Sequence, residues 1–203
     1  MAQPVADTDS GRFAFRACGE DVQIYSRAHI VSPEVISIGD SVIVDDFVFL
    51  TGGAETRIGS FVHLASFSSY LGGGRLVIED FAGISSGSRI YTGTDDFLGE
   101  SLTGPTIPDA LRRPVRSFVH VGKYVVVGAN CVVLPGVTLG EGCTVGALSL
   151  VNRDCEPWTI YAGSPARAVK ARRRDRIMEL EEQLRRTHFD SEGRYIPRRR
   201  RPA

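Results

Sequence analysis

Four histidines, a pair of adjacent aspartates and a basic cluster are the side chains of this sequence that could do chemistry. Asp95 and Asp96 stand at one end of a stretch without internal pattern and His120 closes the other. An aspartate that orients an imidazole while the ring takes a proton is an established arrangement for general-base work. His63 is a second candidate base. Ser66, Ser68 and Ser69 have no evident base partner, so nothing suggests a covalent acyl-enzyme. Cys131, Cys143 and Cys155 recur every twelve residues, without the close CxxC pairing of a zinc site, and His29, His63, His120 and His188 contain no HxxxxH pair. We expect no metal. Arg167 and Lys170 lie at the start of a basic C-terminal stretch and suit a phosphate-bearing ligand, whereas the run Arg198–Arg201 reads as a solvated tail.

The elements that must position these groups are announced by six unbroken hexads from Val121 to Glu156: VGKYVV, VGANCV, VLPGVT, LGEGCT, VGALSL and VNRDCE. Each opens on an aliphatic residue and carries a small or aliphatic residue four places later. A period of six matches neither helix nor a single strand, and so many Gly and β-branched residues are costly in helix. Three short strands joined by tight turns make one triangular coil, and stacked coils make a parallel β-helix. Upstream, with Cys18, Ile38, Ile58 and Ile78 as coil starts, the repeat is twenty residues, divided six, six and eight. Four coils of twenty therefore precede two of eighteen.

Between them, Leu98 to His120 form twenty-three residues with Pro105, Pro108 and Pro114 and no hexad, which predicts an arm projecting from a corner. In that geometry Asp95 and His120 lie near one corner, about 4.8 Å apart plus the local bend. His63 ends a different side of its coil. Asp96 either binds a substrate amine or caps the first turn of the arm. The expected organisation is an N-terminal segment 1–17, an all-β solenoid 18–170 with the insertion 98–120, and a C-terminal helix and basic tail 171–203. The helix is expected from about Ala166, with Ile177, Leu180 and Leu184 on one face and Glu181 and Glu182 paired to Arg185 and Arg186, capping the open end of the solenoid.

The 203 residues suffice for one domain with a sizeable core. Lys plus Arg and Asp plus Glu balance at 24 each, which argues against nucleic acid as a partner. The cysteines, Cys18 included, fall on inward hexad positions and read as buried thiols in a reducing compartment. Without a signal-like or membrane-length apolar run, the expectation is a cytoplasmic protein with no membrane insertion.

The run VGANCVVLPGVTLGEGCTVGALSLVNRDCEPWTIYAGSPARAVKAR closely resembles the hexapeptide-repeat acyltransferases, which include galactoside and maltose O-acetyltransferases and nucleotide-sugar N-acetyltransferases, over roughly residues 30–172. That resemblance implies a left-handed parallel β-helix, a homotrimer, and acetyl-CoA bound between adjacent subunits. HLASFSSYLGGG and YTGTDDFLGESLTGPTIP are similar to segments of the enzymes that acetylate a dTDP-linked 4-amino-4,6-dideoxy sugar, a chemistry of bacterial lipopolysaccharide biosynthesis. The donor site carries over as Ala129 and Ala147 along the pantetheine, Asn152 and Arg153 after them, and Arg167 and Lys170 near the nucleotide phosphates. The general-base histidine of the O-acetylating members is absent, since IYTGTDD places Asp95 at its position. That favours an amine acceptor, which needs less help than a hydroxyl and whose cationic form a carboxylate attracts. His63 could join Asp95 only if a neighbouring subunit brings its corner across. The alternatives are O-acetylation of a sugar or polysaccharide hydroxyl, with His120 or His63 as base, and a non-catalytic solenoid scaffold.

Overall fold

A computed structural model describes residues 10–200 and shows a parallel β-helix with three walls. The first wall runs from Ala17–Cys18 through Ile36–Ile38, Glu55–Ile58, Arg75–Ile78 and Phe118–Val121 to Val137–Leu139. The second runs from Gln23–Ile24 through Ile43–Val44, His63–Leu64, Gly83–Ile84 and Val126–Val127 to Thr144–Val145, and ends on a hairpin. The third stacks His29–Val31, Phe49–Thr51, Ser69–Leu71, Arg89–Tyr91, Val132–Val133 and Leu150–Val151. Every coil-to-coil pairing in the three walls is parallel.

The register reproduces the arithmetic of the sequence. Ser37 pairs with Arg57 and Arg57 with Val77, a coil of twenty each time. Val77 then pairs with His120, one such coil plus the twenty-three-residue excursion, and His120 with Thr138, a coil of eighteen. Aliphatic residues of every wall point inward and build the core, for example Ile58, Ile78, Val121 and Leu139 on the first wall and Val44, Leu64, Ile84, Val127 and Val145 on the second, all nearly inaccessible. The inward fifth positions of the hexads, including Cys131, Cys143 and Cys155, are buried as expected. Cys18 is exposed instead, because the first coil has a neighbour on one side only.

Three expectations about the ends are corrected. The last coil is sixteen residues, with Leu139 bridging Cys155 and Val145 pairing Tyr161, so VNRDCE is not a full hexad. The helix does not begin near Ala166: Arg167–Ala171 forms an antiparallel strand on Thr159–Ala162 and supplies partners for the terminal second-wall backbone. The helix is Asp175–His188 and does not cap the solenoid end. It turns back along the corner between first and second walls, where Lys123 pairs with Glu181 at 2.9 Å, and the tail reaches the first coil through Tyr195 and Arg198 to Asp21. Its inner face consequently uses the buried Glu181, while Leu180 is 46% exposed. The Glu181–Arg185 and Glu182–Arg186 pairs form as expected. No helix among the described residues is long and apolar enough to cross a membrane. Residues 1–9 and 201–203, and with them part of the N-terminal segment and Arg201, lie outside the described residues.

Candidate active site

The arm leaves from the corner between third and first walls. Gly93–Thr94 pairs antiparallel with Val115–Arg116, so the excursion is narrower than 98–120 and the first wall has already resumed at Phe118. Gly72, Gly73 and Gly74 explain the LGGG run. A Cβ on Gly74 would overlap the Ser117 carbonyl, and one on Gly73 would meet the Arg116 guanidinium, which donates to the Gly72 carbonyl. Three bare residues thus let the returning strand lie directly on the coil below.

Asp96 is the cap of the arm's first turn. Its two oxygens accept the amides of Leu98 at 2.7 Å and Ser101 at 2.6 Å, and these bonds hold its carboxyl below the usual range although burial works the other way. Ser101 Oγ in turn accepts the Arg113 amide from the returning limb. Asp95 accepts the Gly104 amide through Oδ2 at 3.1 Å. It borders two hollows, a cleft of about 920 Å³ with Tyr91, Thr94, Phe97, Leu134 and Asn152, and one of about 500 Å³ with Leu71, Pro105, Arg112 and Arg116.

His120 is not beside Asp95. It lies within the first-wall strand, its Nε2 2.8 Å from Glu79 Oε1, and lines a separate hollow with Arg75 and Thr138. The expected corner position failed because the wall resumes three residues before Val121, which rotates His120 onto the outer face of a flat strand. His63 sits on the second wall, with Nε2 3.1 Å from Asp45 Oδ2, and the Ser66 amide and hydroxyl also point to that oxygen at 3.2 and 3.4 Å. Asp45 was missed in the sequence. Its only signal is coil arithmetic, since one coil on from Asp45 is Ala65, two residues past His63.

Ala129 and Ala147 stack on successive coils at the corner between second and third walls, where the Leu148 amide donates to the Ala129 carbonyl. Gly128 and Gly146 flank them, and a Cβ on Gly128 would press on the Ala147 amide. Along Ala129 and Ala147 this corner offers a thin ligand backbone and methyl groups, with Asn130 and the exposed Leu148 beside them. Arg167 and Lys170 lie exposed on the terminal hairpin, at one end of that strip. Asn152 and Arg153 are exposed at the opposite edge of the third wall, where Asn152 shares the larger cleft with Asp95. The expected donor residues therefore divide between two corners of one chain.

Residues 118–153 match the family described as bacterial transferase hexapeptide (six repeats). A dTDP-4-amino-4,6-dideoxy-D-glucose acyltransferase of Escherichia coli is 38% identical over 168 residues, 82% of this chain and 87% of the relative. This chain is a hexapeptide-repeat acyltransferase. Its fold superimposes on AntD, an N-acyltransferase from Bacillus cereus solved with dTDP and 3-hydroxybutyryl-CoA, at a TM-score of 0.83 and 39% identity, covering 89% of this chain and 97% of AntD. A serine variant of AntD, solved with dTDP-4-amino-4,6-dideoxyglucose and coenzyme A, gives 0.81 and 40% over 86% and 92%. A maltose O-acetyltransferase from Clostridium difficile, at 19% identity and 0.54, shares the fold with this acyltransferase.

Proposed function

We propose that this acyltransferase moves an acetyl group from acetyl-CoA to the amino group of a dTDP-linked 4-amino-4,6-dideoxy sugar, as a homotrimer acting in the cytoplasm on a precursor for lipopolysaccharide. The observation that carries the reading is Asp95, a carboxylate and not a histidine, held on the arm above a cleft that also receives Asn152. Coenzyme A would lie along Ala129 and Ala147 with its phosphates toward Arg167 and Lys170. Asn152 and Arg153 of the adjacent subunit would close over it, which is how residues on two corners come to serve one ligand.

The reaction is direct. The free amine attacks the thioester carbonyl, a backbone N–H at the corner stabilises the developing oxyanion, Asp95 takes the amine proton, and coenzyme A leaves as thiol. AntD has been solved as separate single variants at a serine and at an aspartate that lie ten residues apart in that chain. Ser85 and Asp95 have the same separation, as do Ser86 and Asp96; the arm engages both oxygens of Asp96 and one of Asp95, which favours the first pair.

Thiol release from acetyl-CoA against dTDP- and UDP-linked amino sugars, with the corresponding hydroxyl sugars as controls, tests the reading. Turnover is expected with the dTDP-4-amino sugar, and Asp95→Asn is expected to lose on the order of 100-fold in kcat. Turnover confined to hydroxyl sugars would establish O-acetylation instead. No thiol release and no coenzyme A binding would leave a scaffold.

A further inference from the structure

The corner that carries Ala129 and Ala147 continues below them. Ile43, His63, Gly83, Val126 and Thr144 are paired in order along the second wall, so three residues further on Asp46, Ser66, Ser86, Ala129 and Ala147 share one register position. At about 4.8 Å per coil, the Ser86 level lies about 10 Å below Ala147 and the Ser66 level about 15 Å below it. A donor whose phosphates sit at the Arg167 end points its acyl end down this strip. The acceptor then lies beyond Ala129, at the levels of Ser86 and Ser66, and the second of these is where His63 and Asp45 meet.

Two features make that level more than a surface histidine. Gly83, the outward residue directly above His63, is bare, and nothing lies within 4 Å of the place a Cβ would occupy. A notch one residue wide therefore opens between His63 and Val126. His63 is itself held: Asp45 Oδ2 takes its Nε2 at 3.1 Å while receiving the Ser66 amide, and a carboxylate only accepts. The proton belongs on Nε2, and Nδ1 is left as an acceptor for a ligand.

We propose that Asp45 is a positioning residue that locks His63 in the Nε2–H form, and that His63 Nδ1 binds a donor group, amine or hydroxyl, of the acceptor sugar in the notch at Gly83. The proposal rests on the sugar-acetylation reading above and adds the residues that hold the acceptor.

The test is initial-rate kinetics of Asp45→Asn and Gly83→Val with acetyl-CoA and dTDP-4-amino-4,6-dideoxyglucose, beside nitrogen-15 NMR of the His63 ring. Asp45→Asn removes the obligate acceptor and frees the ring to reverse its tautomer, while Gly83→Val fills the notch and leaves the dyad intact. Both are expected to raise KM for the sugar nucleotide about tenfold, the loss of one hydrogen bond, with KM for acetyl-CoA and the melting temperature unchanged. The NMR is expected to show Nδ1 unprotonated in the native protein and that preference lost in Asp45→Asn only. An unchanged sugar KM in either variant, a parallel rise in both KM values, or a native His63 protonated on Nδ1 overturns the proposal while the acetylation reading stands. If the native enzyme acetylates no amino sugar, the reading fails and the proposal falls with it.

Discussion

Two corners of the same prism have the same backbone and opposite fates. Between first and second walls the left-handed corner residues are Asp21, Ser41, Phe61, Phe81, Tyr124, Gly142 and Trp158; between second and third they are Phe47, Phe67, Gly87, Asn130 and Leu148. At the first of these corners the rings form a ladder, Phe61 on Phe81 at 5.0 Å, Phe81 on Tyr124 at 5.4 Å and Tyr124 on Trp158 at 5.8 Å. Gly142 makes room, since any Cβ there would meet the Trp158 ring. The helix and tail close over this ladder, with Lys123 spanning from the Tyr124 ring to Glu181 and Tyr195 set edge-on to Phe61. At the second corner only Phe47 and Phe67 stack, both exposed, and above them the column continues as Gly87, Asn130 and Leu148, beside Ser86, Ala129 and Ala147. Left-handed backbone at a bulky residue is strained, and at the first corner ring stacking and burial offset that strain. The lesson is that the turn geometry is shared, and the outward side chains decide whether a corner becomes structure or a track for a ligand.

Breaking the covered corner should cost stability and spare chemistry. Phe81→Ala removes the middle of the ladder and is expected to lower unfolding free energy by about 3 kcal/mol, read from urea denaturation, with kcat per folded enzyme retained. The open corner should behave in reverse. Ala147→Trp is expected to cut kcat/KM for acetyl-CoA on the order of 100-fold, about 2.7 kcal/mol, with an unchanged melting temperature, because it obstructs the strip without touching the core.

A smaller effect sharpens how the helix is held. Burial opposes ionisation of Glu181, but Lys123 and Arg185 outweigh it and keep its carboxyl below the ordinary 4.5. A depressed folded-state pKa stabilises the fold at neutral pH and the contribution disappears as the solution is acidified below about 4.5. Glu181→Gln is accordingly expected to lose about 1–2 kcal/mol at pH 7 and little at pH 3, so that native and variant melting curves converge in acid. Least of all should follow from Arg199→Ala. Its exposed pair with Glu20 at 3.3 Å is worth under about 0.5 kcal/mol, and a larger drop in melting temperature would mean that the tail is a stronger clamp than its surface charges suggest.

The coil arithmetic was legible because every inward position repeats the same demand for a small or aliphatic side chain. The excursion length was legible for the same reason, since a break in a strict period is visible from either side. The ladder was not, because aromatic residues in left-handed turns run against local preference and only their stacked neighbours account for them. Nor was the partner of either histidine. Glu79 reaches His120, and Asp45 reaches His63, across separations that are set by which face of a strand each occupies, and a shift of one residue reverses that face.

Periodicity alone determined that this chain winds into a three-walled solenoid with an arm and a cationic C-terminal end, because each inward side chain answers to its own coil and its nearest neighbours. Tertiary structure alone decided that residues 167–171 become a strand, that the helix turns back along an aromatic corner, and that Asp45, not Asp95, meets a histidine. Those outcomes depend on groups far apart in the chain competing for the same exposed backbone, rings and charges, and no local pattern records which of them wins.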